Sequence, residues 1–83
     1  MKAIRMTASW CQPCAGLKKQ LEQHNINIEA VDIDENTEMA VKYGIRGVPT
    51  ILFLADDGTE AASRIVGAHL TAQQLKTLKE LSL

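Results

Sequence analysis

The chain has 83 residues, a formal net charge of −1, 46% hydrophobic residues, and only Trp10, Tyr43 and Phe53 as aromatics. That length holds one domain, residues 1–83, with no room for a second core, and such a chain buries only about 60–65% of the surface its unfolded form exposes. The charge balance excludes a basic nucleic-acid footprint, and no apolar run approaches ~18 residues, which excludes a membrane-spanning helix.

In chain order, Lys2 to Thr7 reads as a strand. Its start, Met1 to Met6, is too short and interrupted for the core of a signal peptide, which predicts a cytoplasmic protein. Pro13 to about Asn25 reads as a helix, with Cys14, Leu17, Lys18 and Leu21 at helical spacing and Asn25 as its stop. Ile26 to Ile33 alternates as a strand. Asn36 or Thr37 caps a short helix to Tyr43, which Gly44 ends. Thr50 to Leu54 is a continuous apolar strand, Asp57-Gly58 a hairpin turn, and Glu60 to Val66 the returning strand, broken at Gly67. Thr71 caps a last helix with Leu75, Leu78 and Leu81 on one stripe. The order β-α-β-α-β-β-α predicts an α/β fold: a four-stranded mixed sheet flanked by three helices, with the first two strands parallel.

Trp10-Cys11-Gln12-Pro13-Cys14 carries the chemistry. Its cysteines are the only two in the chain, at the start of a predicted helix. Two closely spaced thiols in a reducing compartment point to catalysis or metal rather than to a structural staple. A thiolate is the attacking species in disulfide exchange, and a helix N-terminus favours negative charge by roughly 0.3–1 kcal/mol. The expected division is an exposed, activated Cys11 and a shielded Cys14 one turn deeper. Pro13 falls where a missing N–H does no harm, Gln12 and Pro13 tune the disulfide form, and Trp10 offers a flat apolar contact beside the sulfurs. A zinc site would need two further ligands; no third cysteine exists, and His24 and His69 lack paired spacing, so no metal is expected. Met6 and Met39 read as core fillers.

The arrangement resembles the thioredoxin family along nearly the whole chain. Trp10-Cys11-Gln12-Pro13-Cys14 is similar to that family's Trp-Cys-Gly-Pro-Cys, and Lys42-Tyr43-Gly44-Ile45-Arg46-Gly47-Val48-Pro49-Thr50 to its approach to a cis-proline. Asp32-Ile33-Asp34, Asp57-Gly58 and Val66-Gly67 fall where the family has similar residues. The resemblance implies the minimal thioredoxin fold, a cis Val48–Pro49 bond, and a client groove of Trp10, Gln12, Pro13, Val48, Pro49, Gly67 and Ala68 around the catalytic Cys11 and Cys14. It implies a monomeric thiol–disulfide oxidoreductase without a bound cofactor. Its clients would be disulfide-containing proteins, with a ribonucleotide reductase among them by family analogy. An NADPH-dependent, thioredoxin-reductase-like partner would restore the dithiol. The alternatives are a glutathione-coupled, glutaredoxin-like reductase and a non-catalytic metal-binding or docking module. Gly47-Val48-Pro49 and Gly67-Ala68-His69-Leu70-Thr71 differ from the glutaredoxin pattern for holding glutathione.

Three departures from the thioredoxin pattern stand out. The family's upstream first strand and helix have no counterpart here. Gln12 replaces a glycine. Arg5 stands where the family has a buried acid, and Ala30 where it has the accompanying lysine. With the upstream helix absent, the sheet face under the Thr37–Tyr43 helix is expected to be partly open, letting the Arg5 stem pack while its head reaches water or a carboxylate such as Asp32 or Asp34.

Overall fold

Strand pairing organises the computed structural model, which describes residues 1–83. The elements run β1 (Lys2–Thr7), α1 (Gln12–Gln23), β2 (Glu29–Asp32), α2 (Thr37–Lys42), β3 (Thr50–Leu54), β4 (Glu60–Val66) and α3 (Ala72–Glu80). They build one four-stranded sheet in the order β2-β1-β3-β4. β1 pairs parallel to β2 and antiparallel to β3, and β3 pairs antiparallel to β4. This is the β-α-β-α-β-β-α mixed sheet with three helices that the sequence predicts.

Side-chain alternation sorts the core into two layers. On one face, Ala3, Ile51, Phe53 and Ile65 pack with Leu17 and Leu21 of α1 and Leu78 of α3. On the other, Ile4, Met6, Val31, Leu52 and Leu54 pack beneath Met39, Tyr43, Ile33, Ile45 and Val48. β3 lies between the two layers, and all five of its residues are buried. Covered on both faces, it reads as an unbroken apolar run.

The second strand is shorter than expected. Asn25 adopts a left-handed conformation (φ 55°) after α1, and Ile26 N–H still donates to Leu21 O at 2.9 Å. The Asn27 backbone is used by the chain terminus instead of a strand: its N–H donates to Ser82 Oγ at 2.7 Å, and its carbonyl accepts from Leu83 N–H at 2.7 Å. Ile26 and Ile28 are buried as an approach segment, and pairing begins only where Glu29 meets Ile4.

Arg5 packs its stem and keeps its head in reach of water as expected, but on the other face. Ile4 and Met6 point to the α2 face, so Arg5 between them points to the α1 face. It approaches Glu22 of α1, not Asp32 or Asp34. The α2 face is closed rather than partly open: Ile4, Met6, Leu52 and Leu54 are almost wholly buried. A six-residue helix suffices because it is tied to the β3–β4 hairpin. Tyr43 Oη donates to Gly58 O at 2.6 Å, and Arg64 Nη2 donates to Tyr43 O at 2.7 Å. Arg64 is held in turn by an ion pair with Glu60. The far edge of this face ends in the exposed Lys2–Glu29 ion pair at 3.6 Å.

Candidate active site

α1 begins at Gln12 with Cys11 in the N-cap position (φ −93°, ψ 107°) and Pro13 in the first turn. An N-cap side chain meets the helix's free N–H groups, and here that side chain is a sulfur. Cys14 N–H donates to Cys11 Sγ at 3.1 Å. Cys11 and Cys14 are joined as a disulfide. With Ala8 they form a small buried cluster closed by Ile33 and Val48.

Cys11 is therefore less open than the sequence suggests. It is 7% exposed against 2% for Cys14, so the order of accessibility holds while both sulfurs lie within the surface. The loops after β2 and before β3 cause this by bringing Ile33 and Val48 against the pair.

Sheet order decides what surrounds the disulfide. The Val48–Pro49 bond is cis, and Val48 O lies 3.6 Å from Cys11 Sγ. Val48 precedes β3, and neither its N–H nor its C=O enters a backbone hydrogen bond. On the β4 side, Gly67 N–H donates to Pro49 O at 3.0 Å. Gly67 has φ 100°, a conformation open to glycine at no steric cost. Ala68 follows, half-buried against the main core, and Val66 beside it is 73% exposed. On the β2 side, Trp10 is 66% exposed, and its indole Nε1 donates to Asp34 Oδ2 at 2.8 Å. Asp34 N–H donates to Asp32 Oδ1 at 2.8 Å, which fixes that loop. Gln12 and Pro13 are exposed at the helix start. Of the predicted residues, Val48 packs on the disulfide and Pro49 carries the bond to Gly67, while Ala68 lies on the main core and Arg5 along the flank of α1.

Asp34, Tyr43 and Arg64 escaped the sequence reading as supports of the site. Asp34 anchors the indole. The other two anchor α2, and α2 leads into the loop that carries Val48 and Pro49. Asp34 and Tyr43 lie in segments similar to the family's and Arg64 within β4, but nothing near any of them in the chain names its partner. No cluster of three or more His, Cys, Asp or Glu side chains is placed to hold a metal ion. His24 and His69 are both exposed.

A disulfide between an N-cap cysteine and a cysteine one turn inside the helix, beside the unpaired backbone of Val48, defines a thiol–disulfide exchange centre. The thioredoxin family model matches residues 2–80, and the chain belongs to the thioredoxin family. It is 39% identical over 67 residues to the SPbeta prophage-derived thioredoxin-like protein YosR of Bacillus subtilis, covering 81% of this chain and 82% of that protein. It is 35% identical to the thioredoxin of the same bacterium over 79 residues, covering 76% of each. Among solved structures, Malassezia sympodialis thioredoxin superposes with a TM-score of 0.74 at 27% identity, covering 93% of this chain and 73% of that one. Fasciola hepatica thioredoxin gives 0.70 at 28% identity, covering 98% and 79%. The protein is a thiol–disulfide oxidoreductase. Its family acts on disulfide-containing protein substrates and is reduced by thioredoxin reductase.

Proposed function

We propose that Cys11 is the attacking thiol, that Cys14 resolves, and that the groove around Val48 and Pro49 holds an extended client segment. The Cys14 N–H donated to Cys11 Sγ carries this reading. In the dithiol form that donor and the helix N-terminus favour a thiolate on Cys11 over one on Cys14. The Cys11 thiolate attacks one client sulfur. The client S–S bond breaks, the other client sulfur leaves as a thiolate and takes a proton, and Cys11 is left in a mixed disulfide. Cys14 loses its proton and attacks Cys11 Sγ, which expels the second client thiolate and forms Cys11–Cys14. Two electrons pass to the client, and the chain's dithiol becomes its disulfide.

The unpaired N–H and C=O of Val48 supply the docking rail, where a client backbone adds as a short strand. Trp10, Val66, Gly67 and Ala68 form its apolar rim, with Gln12 and Pro13 beside the exposed end of the disulfide. An NADPH-linked reductase of the thioredoxin-reductase class restores the dithiol, and a ribonucleotide reductase is among the clients by family resemblance. The protein works in the cytoplasm as a monomer, and residues 1–83 form one domain. A cycling cysteine pair suits a reducing compartment.

Cys14→Ser tests the division of labour, because a mixed disulfide that cannot be resolved accumulates. The expected result is a covalent client adduct with Cys14→Ser and none with Cys11→Ser. Adducts on Cys14 of the Cys11→Ser protein, with none on Cys11, would reverse the assignment. Incubating the oxidised protein with thioredoxin reductase plus NADPH, and separately with glutathione, identifies the electron donor. Faster reduction by glutathione would replace the reductase reading with the glutaredoxin-like one.

A further inference from the structure

Arg5 is a half-buried cation that the exchange chemistry leaves unused. Its side chain lines a cleft of about 80 Å3 between the second half of α1 and the approach to β2. Lys18 and Asn27 line the same cleft as further donors, Glu22 is its one carboxylate, and Ile26 and Ile28 form apolar wall. The chain's two ion pairs are Lys2–Glu29 and Arg64–Glu60, so Arg5, Lys18 and Glu22 each lack an ionic partner within 4 Å. The Arg5 side chain makes no hydrogen bond and none of its nitrogens is sealed away, so the guanidinium reaches water beside the cleft that its side chain lines. Burial holds its pKa below the ordinary value while Glu22 pulls the other way, and an arginine stays charged at neutral pH regardless. The lining therefore carries two positive charges against one negative.

We propose that this cleft is a binding site for a small tetrahedral oxyanion, a phosphate or sulfate group, held between Arg5 and Lys18. A guanidinium offers two parallel N–H donors to two oxygens of one anion, and an ammonium meets a third as a point charge. A tetrahedral oxyanion spreads its acceptor oxygens in three dimensions and carries up to two charges, which suits two cations on different elements better than a planar, singly charged carboxylate. The volume suits a small group: about 10–15 Å3 of space on this measure holds one water, so the cleft has room for several waters or for one compact anion. Ala30 is the strand neighbour of Arg5 and carries no long side chain to compete for this space. The site is one helical turn beyond Cys14 along α1, on its flank, and is separate from the client groove.

The oxidised protein, which has no free thiol, is the form to test. Sodium phosphate is titrated in at fixed pH, with sodium chloride holding ionic strength constant, and followed by the NMR shifts of Arg5 Nε–H and the amides of residues 26–28. The expected result is a saturating shift with a Kd of about 1–10 mM, competed by sulfate. R5M should weaken binding by about tenfold or more, as loss of a charged hydrogen-bonding partner does. K18M, at an exposed helix position where folding is undisturbed, should weaken it severalfold. E22Q removes the repelling charge and should tighten it. Phenyl phosphate, titrated in parallel, separates the sources: saturation by inorganic phosphate identifies the free ion, and saturation by the ester alone identifies a phosphate carried on a larger molecule. Shifts that grow linearly without saturation for both probes, K18M indistinguishable from wild type, or weaker binding by E22Q would overturn the site.

Discussion

The two faces of the sheet are both apolar layers, but they are covered in different ways. The α1/α3 face is a conventional apolar layer, with Leu17, Leu21 and Leu78 from two helices set on Ala3, Ile51, Phe53 and Ile65. The α2 face has five buried strand residues but only one short helix above them. Its closure depends on directed hydrogen bonds from Tyr43 and Arg64 to specific carbonyls. Apolar burial is spread over many contacts and tolerates small movements of each, whereas a hydrogen bond fixes one pair of atoms. The thinly covered face is also the one whose loops carry Ile33 and Val48 to the disulfide. Stability should therefore track the first face, and precision at the site the second.

The largest effect tests the first half of that contrast. Leu78 is fully buried between α3 and the sheet. Leu78→Ala should cost about 2–5 kcal/mol in denaturant unfolding. Reduction of a small disulfide by the protein that remains folded should stay near wild type. A loss under about 1 kcal/mol would mean that this layer is not the main source of stability.

Breaking the ties on the other face should show the reverse balance. Arg64→Met removes the donor to Tyr43 O and the partner of Glu60; at a part-exposed position this should cost only about 1 kcal/mol. Tyr43→Phe, which leaves the Gly58 carbonyl without its donor, should cost a similar amount. In both variants reduction of a protein disulfide should fall severalfold while alkylation of Cys11 is unchanged, because the Val48 rail shifts and the helix start does not. Equal losses for protein and small-molecule disulfides would end the claim that these side chains set the groove.

At the start of α3 an effect on stability alone is expected. Thr71 Oγ1 accepts from Gln74 N–H at 3.1 Å, and Gln74 Oε1 accepts from Thr71 N–H at 2.9 Å. Thr71→Ala breaks this reciprocal cap and should cost about 1 kcal/mol. Because α3 supplies the apolar face only, client reduction per folded molecule should not change. A selective loss of client reduction would show that the two faces are coupled.

The smallest effect concerns the hairpin to which α2 is tied. Asp57 Oδ1 accepts from the Thr59 hydroxyl at 2.7 Å and from Thr59 N–H at 3.0 Å. The Thr59 hydroxyl first, and then backbone N–H groups, hold the Asp57 carboxyl below its ordinary value of 3.8. A group depressed on folding contributes stability that is fully present above its unfolded pKa and is lost as pH falls through the folded one. Stability should thus be flat with respect to Asp57 at neutral pH and decline only below about 4. Asp57→Asn should remove that part of the acid slope, measured by unfolding across pH. An unchanged slope would mean that the Thr59 contacts do not persist in solution.

Element order, the parallel first unit, the hairpin and the redox centre were all legible in the chain, because each rests on short-range signals; that β1 pairs with β3 was not. The Lys2–Thr7 strand, the Asp57-Gly58 turn, the Thr71 cap and the Cys-x-x-Cys spacing are set within a few residues, where steric limits and capping dominate. The full burial of β3 was equally legible as an unbroken apolar run. Tertiary structure decided the rest. The strand at Ile26–Asn27 was lost because the Asn27 backbone took its partners from Ser82 and Leu83, at the opposite end of the chain. Cys11 was drawn within the surface by Ile33 and Val48, which arrive from two other connections. Arg5 turned toward Glu22 because strand alternation places it on the α1 face, a side set by its neighbours Ile4 and Met6 rather than by its own chemistry. Such pairings link residues far apart in the chain. Their energies depend on where the backbone brings two groups together, which no short stretch of sequence specifies.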